Sequence, residues 1–385
     1  MRRDQRLVIV MFDGLGPDYL EKSSMPTLKR WAGTGLFASV KAVMPTVTNA
    51  NNASICCGEF PDRHGVIGNS FLERETGTEQ YLEDGTLVAA PTIFERALSH
   101  GTQSALLTSK KKTVSLLGKG AAIRIAAEAP AADVAAKYGE APPIYSREIN
   151  YWLMAAAIDL LKTRRDLGIV YVHTTDYAMH MWPPEADESQ EHLFKLDQLL
   201  AEAAEAAPDA AFLVSADHGM NYKSRCWDLE KALAARGAPI RIAISAERDK
   251  YLRHHRGMGG TSWVHLAHGN DAERVTAVLR SLQGIERVMT RDEAARAFHL
   301  MGSRIGDLVV LGDRDTVFGN LETDEMETLP ASYRSHGSLH ESDVPLIIHN
   351  ARNAPPADYF RFNLDLARWA YADEPHNNEL AYEKV

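Results

Sequence analysis

Four short apolar runs, each closed by polar or glycine-containing residues, constrain the fold of this chain more than any other feature. Residues 6–12 (RLVIVMF), 104–108 (SALLT), 168–174 (GIVYVHT) and 210–216 (AAFLVSA) have the continuous hydrophobicity of strands buried on both faces. Between them, 147–163 and 188–206 carry apolar residues at the three and four spacing of amphipathic helices. Strand then helix, repeated, predicts an α/β fold: a mostly parallel sheet with helices on both faces. Ligands of such sheets gather at the carboxyl ends of the strands. After DHGMN at 217–221 the texture changes to shorter strands (IRIAIS, TSWVHLA, GIERVMT, DLVVLGD) and helices such as AERVTAVLRSL. Residues 222–330 are therefore expected to form a smaller α+β cap inserted in a core built from 1–221 and 331–385.

The polar residues that matter fall at the strand ends. Asp13 follows the first run, Asp176 the third, and Asp217 with His218 the fourth. In DYAMH, Asp176 and His180 stand at i and i+4, so one helical turn points both at a shared cation. A further histidine is expected in YRSHGSLHESDVP; His336 is preferred because the glycine after it permits close backbone approach, with His340 as the alternative. Any one of these residues by itself reads as a cap, a surface group or a core group. Their common placement at the strand ends makes Asp13, Asp176, His180, Asp217, His218 and His336 an oxygen and nitrogen set suited to zinc, or to manganese or iron. Six ligands exceed one tetrahedral ion and fit two ions about 4 Å apart. The remaining histidines, among them His64, His173, His254, His255, His265 and His268, read as ordinary core or surface residues.

The stretch MPTVTNANNASICCG (44–58) supplies a hydroxyl. A hydroxyl attacks phosphorus only when a metal or base helps remove its proton. Thr46 follows Pro45 and is expected to be extended, whereas Thr48 stands at the entrance of a helix, whose free N–H groups favour an anion. Thr48 is thus the candidate nucleophile, and Thr46 is expected to tolerate replacement.

Composition narrows the ligand class. With 52 acidic against 42 basic residues the formal charge is −10, which supports solubility and gives no general reason to bind nucleic acid. An anionic substrate must then be met by local positive charge or by metal. Cys56, Cys57 and Cys226 form no CxxC pair, so buried structural thiols are expected rather than a disulfide frame or thiolate zinc site. The run from Leu7 to Phe12 is too short for a signal-peptide core, and no segment approaches the ~20 apolar residues of a membrane span. A cytoplasmic protein with a small-molecule substrate is expected, without nucleic-acid or membrane partners and compatible with a homodimer.

Read together, MFDGLG, MPTVTNANNASICCG, HGVIGN, TTDYAMH, SADHGM and RSHGS resemble the nucleotide pyrophosphatase/phosphodiesterase branch of the alkaline phosphatase superfamily. Within it, the TNxNN form of Thr48 to Asn52, with GIERVMTRDEAARAF, RIGDLVVLGDRDTVFG and RSHGSLHESDVPLI, is similar to the phosphonoacetate hydrolases. The resemblance implies one zinc on Asp176, His180 and His336 and a second on Asp13, Thr48, Asp217 and His218. It also implies a phosphothreonine intermediate, donation from Asn69 to a phosphonyl oxygen, and a carboxylate grip by Lys110 and Lys112. Lys111, where the family is expected to have an acid, is expected to point away. A phosphodiesterase with an aromatic slot built from Tyr177, Trp182 and Trp263 is the rival reading.

Overall fold

The structure is a computed structural model and describes residues 5–251, 255–268 and 271–371. The strands of its main sheet are β1 (Leu7–Met11), β2 (Leu36–Lys41), β3 (Gln103–Thr108), β4 (Ile123–Ala126), β5 (Leu167–His173) and β6 (Ala211–Ser215). A second group comprises β7 (Ile242–Ser245), β8 (Thr261–His265), β9 (Ile285–Thr290) and β10 (Leu308–Gly312), and the chain returns to the main sheet through β11 (Asp343–His349). The main order is β2-β11-β6-β1-β5-β3-β4. β1 pairs in parallel with both β5 and β6, and β3 pairs in parallel with β4 and β5. Only β11 runs against the others, pairing antiparallel with β2 and β6. This is the mostly parallel α/β sheet of the sequence reading.

Every residue of β1 is buried, as two-sided burial requires of a central parallel strand. Truncating one such side chain, Ile9 for example, costs about 2–5 kcal/mol by cavity formation. Four helices bear on the site: α1 (Thr48–Cys57), α2 (Glu148–Thr163), α3 (Tyr177–Met181) and α4 (Asp187–Ala206). α2 buries Ile149, Leu153, Ala156, Ala157, Leu160 and Leu161, the expected three and four spacing, and packs along α4. Cys56, Cys57 and Cys226 are buried free thiols.

The second sheet is antiparallel, in the order β7-β8-β10-β9. Its strands alternate between two cores, as period-two side chains must. Ile244, Trp263, Val309 and Leu311 join the main hydrophobic core. Val264, Leu308 and Val310 face a separate cluster with Val275 and Leu279 of the helix Ala272–Ser281. One face of the sheet is thereby committed to the main core, and the segment after β7 is held close to the strand ends. Among the described residues, no helix is long and apolar enough to cross a membrane.

Candidate active site

Parallel register places the site. Met11 pairs with His173 and with Ser215, and Thr108 pairs with His173, so β1, β3, β5 and β6 end in one row. Asp13, Asp176 and Asp217 follow within three residues of their strands and are all buried. Their loops are tied together: Asp13 N–H donates to Thr174 Oγ1 (3.0 Å) and Gly14 N–H to Asp217 Oδ1 (3.1 Å). Asn150 clasps the backbone of Thr175 on both sides, at 2.9 Å each way.

Two of the histidines follow these aspartates in the chain, and His336 arrives from a separate segment. His180 lies on α3, whose N-cap position is Asp176, and its Nε2 is 2.8 Å from Asp176 Oδ2. His218 Nε2 is 3.4 Å from Asp13 Oδ1, and His336 Nε2 is 3.5 Å from Asp176 Oδ2. The rings of His218 and His336 stack with centroids 3.6 Å apart. Each of the three places Nδ1 on a backbone carbonyl: Arg334 for His180 (2.7 Å), Gly219 for His218 (2.9 Å) and Thr46 for His336 (2.8 Å). Donation from Nδ1 to these carbonyls leaves Nε2 of each ring turned to the carboxylates, where its lone pair would serve a cation held between them.

That arrangement fits a cation. Asp176, His218 and His336 form one group able to hold a metal ion, and Asp13, Asp217 and His218 another. Among the described residues, Asp13 Oδ1, Asp176 Oδ1 and Asp217 Oδ2 are buried with no hydrogen-bond partner, which is costly unless something else satisfies them. Burial, reinforced by Asp176 and Asp217, holds the Asp13 carboxyl well above its usual range. Burial opposes the charge on Asp217, but His218 and His173 outweigh it and hold that carboxyl down. Burial lowers His218 to about 4; at His336 it is outweighed by Glu247 and Asp176, which push the ring up to about 9.

Thr48 is the first residue of α1, and its Oγ1 lies 3.3 Å from His218 Nε2. Thr46, in contrast, has its hydroxyl engaged: it donates to the Ser338 carbonyl (2.7 Å) and accepts from Gly337 N–H (3.1 Å). Together with its carbonyl on His336, this makes Thr46 a support of the His336 loop, so the expected tolerance of its replacement does not follow. Gly337 has φ +104°, and a Cβ there would lie 2.8 Å from Gly260 N, which accounts for glycine beside this histidine. His340 is a surface residue paired with Glu286 at 2.6 Å.

The lysines differ from one another. Lys110 is buried with Nζ 3.4 Å from Asp13 Oδ2 and 3.9 Å from Asp176 Oδ1. Burial disfavours its charge, but Asp13, Asp176, Asp217 and Glu247 outweigh this and hold the ammonium above its usual range. Lys112 is paired with Asp249 and donates to Asn69 Oδ1 (3.0 Å). Asn69 Nδ2 donates to the Glu247 carbonyl (3.2 Å) and to Glu247 Oε2 (3.1 Å). A cavity of about 640 Å³ adjoins this edge, lined in part by Lys110, Lys111, Lys112, Tyr145, Asp249 and Tyr251. Lys111 also lines this cavity; it is the first residue of a helix whose N-cap is Lys110, and its backbone N–H donates to Glu128.

Other expectations also need correction. His173 is a site residue: it is fully buried, with Nε2 3.5 Å from Asp13 Oδ2 and 3.1 Å from Asn52 Nδ2. His255 stacks on His180 with centroids 5.1 Å apart. His64 and His265 are buried elsewhere, His268 is exposed, and His254 lies outside the described residues. Trp263 is fully buried in the main core and offers no slot; Tyr177 and Trp182 meet edge to face at 6.1 Å. Glu247 and Asp249 carried no signal in the sequence, since SAERDK reads as a solvated turn. The end of β5 was the one available pointer to His173.

Residues 7–339 match the type I phosphodiesterase / nucleotide pyrophosphatase family. Phosphonoacetate hydrolase from Sinorhizobium meliloti, solved with phosphonoacetate and with phosphonoformate, superposes with a TM-score of 0.86 and 31% identity over 96% of each chain. Murine ectonucleotide pyrophosphatase/phosphodiesterase 5 shares the fold, with a TM-score of 0.72 at 16% identity over 97% of each chain. An ectonucleotide pyrophosphatase/phosphodiesterase of Caenorhabditis elegans is 26% identical over 62% of this chain and 29% of its own length. Venom phosphodiesterase 2 of Crotalus adamanteus is 25% identical over 56% of this chain and 26% of its own. The chain thus spans less than a third of the curated relatives it matches.

Proposed function

The chain belongs to the type I phosphodiesterase / nucleotide pyrophosphatase family, and on that premise we propose that it is a metal-dependent phosphonoacetate hydrolase, cleaving the carbon–phosphorus bond to acetate and phosphate. The observation that carries the reading is the lysine Lys110, buried between the carboxylates Asp13 and Asp176 and opening on the same cavity as Lys112. A generic phosphate ester needs no lysine at its leaving group; a substrate with a carboxylate on that group does. Similarity to the Sinorhizobium meliloti enzyme over nearly the whole chain supports the same reading.

In this proposal Asp176, His180 and His336 would hold one zinc ion and Asp13, Thr48, Asp217 and His218 a second, with manganese or iron as alternatives. Bound metal supplies Lewis-acid neutralisation of phosphonyl oxygens and lowers the pKa of a hydroxyl. Thr48 attacks phosphorus from the start of α1, whose free N–H groups favour the anion. Asn69 presents its amide edge to the phosphonyl group. The departing carbon carries the charge that breaks the bond, and its carboxylate spreads that charge toward an enediolate. Lys110 and Lys112 stabilise that charge as it develops, which lowers the barrier more than it strengthens ground-state binding. Protonation of the carbon gives acetate, and water then hydrolyses the phosphothreonine to phosphate. Residues 222–330 serve as a cap on a core formed by 1–221 and 331–385, in a cytoplasmic enzyme.

Phosphate release from a small phosphonate panel, assayed with added zinc beside a nitrophenyl phosphodiester at equal enzyme concentration, tests the proposal. Turnover of phosphonoacetate well above the diester is expected. The reverse order would favour a phosphodiesterase or nucleotide pyrophosphatase, and no phosphate from any phosphonate would sink the reading.

A further inference from the structure

The loop after β7 brings into the site a carboxylate that does not belong to the expected ligand set. Glu247 is 2% exposed. Its Oε2 accepts from Asn69 Nδ2 at 3.1 Å and lies 3.6 Å from His255 Nε2. Its Oε1 stands 3.7 Å from His336 Nδ1 and has no hydrogen-bond partner among the described residues. Two glycines admit it. A Cβ on Gly259 would come within 2.9 Å of Glu247 Cγ, and a Cβ on Gly68 within 2.7 Å of the Ala246 carbonyl oxygen. A buried carboxylate is expensive to desolvate, and here its polar neighbours, Asn69, His255 and His336, all belong to the site.

We infer that Glu247 is a positioning residue acting at two points, setting His336 as a ligand and fixing the amide of Asn69. An imidazole offering Nε2 to a cation must keep Nδ1–H turned outward, and a carboxylate behind the ring raises its strength as a donor. The Thr46 carbonyl holds that hydrogen at 2.8 Å, and Glu247 adds the negative charge. Asn69 is gripped from both sides, with Lys112 on Oδ1 and Glu247 on Nδ2, so only one orientation of its amide satisfies both neighbours. The inference rests on the proposed function in taking His336 as a ligand and Asn69 as a substrate contact. It adds that a residue outside the main sheet couples the metal side of the site to the substrate side.

The test is a calorimetric titration of chelator-stripped protein with Zn²⁺, on the wild type and on Glu247→Gln, which keeps the volume and removes the charge. Wild-type protein should take up two equivalents. In the variant one equivalent should weaken by about 10–100-fold while the other is unchanged. At saturating Zn²⁺, the losses in phosphate release from Glu247→Gln and Asn69→Ala should be less than multiplicative in the double variant, as for residues acting through one another. Circular dichroism of the stripped proteins checks folding, and Glu247→Asp carries the same titration should Glu247→Gln fail to fold. Wild-type affinity for both ions overturns the His336 part, and multiplicative losses overturn the Asn69 part. Uptake of a single ion by the wild type overturns the inference and the two-ion reading together. Two ions, a weakened variant and no phosphate from phosphonoacetate would remove the substrate assignment alone.

Discussion

Replacing Lys110 and Lys112 one at a time by alanine separates carboxylate recognition from support of the site. The two lysines stand in unlike surroundings. Lys110 makes longer ionic contacts, 3.4 Å to Asp13 and 3.9 Å to Asp176; Lys112 is paired with the buried Asp249 and holds Asn69 Oδ1. A charge-assisted contact contributes about 1.5–3 kcal/mol, so loss of the Lys110 grip predicts a fall of about 10–100-fold in kcat/KM for phosphonoacetate. An aryl phosphate ester, which has no carboxylate, should lose little in Lys110→Ala. Lys112→Ala removes the same grip, loosens Asn69 and takes the ammonium away from the buried Asp249. Breaking a buried pair by removing one partner costs about 3–5 kcal/mol, so this variant should melt earlier and lose rate on both substrates. The assay is steady-state phosphate and phenol release by both variants with both substrates, beside thermal melts. Equal losses on the two substrates in Lys110→Ala, or an untouched ester rate in Lys112→Ala, would refute the reasoning.

Thr48→Ala should retain metal and lose several orders of magnitude in turnover, whereas Thr46→Ala should lower the melting temperature and weaken metal uptake by releasing Gly337 and Ser338; a dead Thr46→Ala that keeps full metal would reverse the two roles. Elemental analysis of protein purified without chelator should find close to two metal ions per chain, and stripping them should lower the melting temperature as well as activity, because Asp13, Asp176 and Asp217 then lose the ions' charge and repel one another more strongly. An unchanged melt after stripping would contradict that repulsion. Burial disfavours the charge of Glu341, but the Lys223 ammonium at 2.8 Å outweighs it and holds the carboxyl at about 2 against an ordinary 4.5. The unfolded chain binds that proton more readily, so the pair's contribution, on the order of 3 kcal/mol, is present above about pH 4.5 and is lost as the pH falls toward 2. Glu341→Gln should flatten this acid limb in melts taken across the range, and parallel curves for variant and wild type would refute the assignment.

Local pattern and tertiary approach contributed differently to what can be known of this chain. The sheet was legible because a parallel strand buried on both faces must be apolar throughout, and RLVIVMF, SALLT, GIVYVHT and AAFLVSA satisfy that condition without reference to anything distant. The helices at 148–163 and 187–206 were legible for the same kind of reason, a period matched to one buried face. Asp13, Asp176 and Asp217 were legible as a group because each follows such a strand within three residues. His336 lies far from any central strand and could be named only as one of two histidines in a loop.

By itself, then, the sequence determined a mostly parallel α/β sheet, the polar end of that sheet, and the residue types gathered there, since all three follow from the spacing of residues within single elements. Tertiary structure decided the rest. It gave Thr46 a supporting role by engaging its hydroxyl with the His336 loop, and it divided the lysines by setting Lys110 against Asp13 and Lys112 against Asp249. It drew His173 and His255 out of the ordinary core and placed Glu247 between Asn69 and His336. Each of these depends on contacts between segments tens to hundreds of residues apart. Whether a threonine is free, or a carboxylate lies behind an imidazole, is a property of distance in space, and no period or local propensity along the chain encodes it.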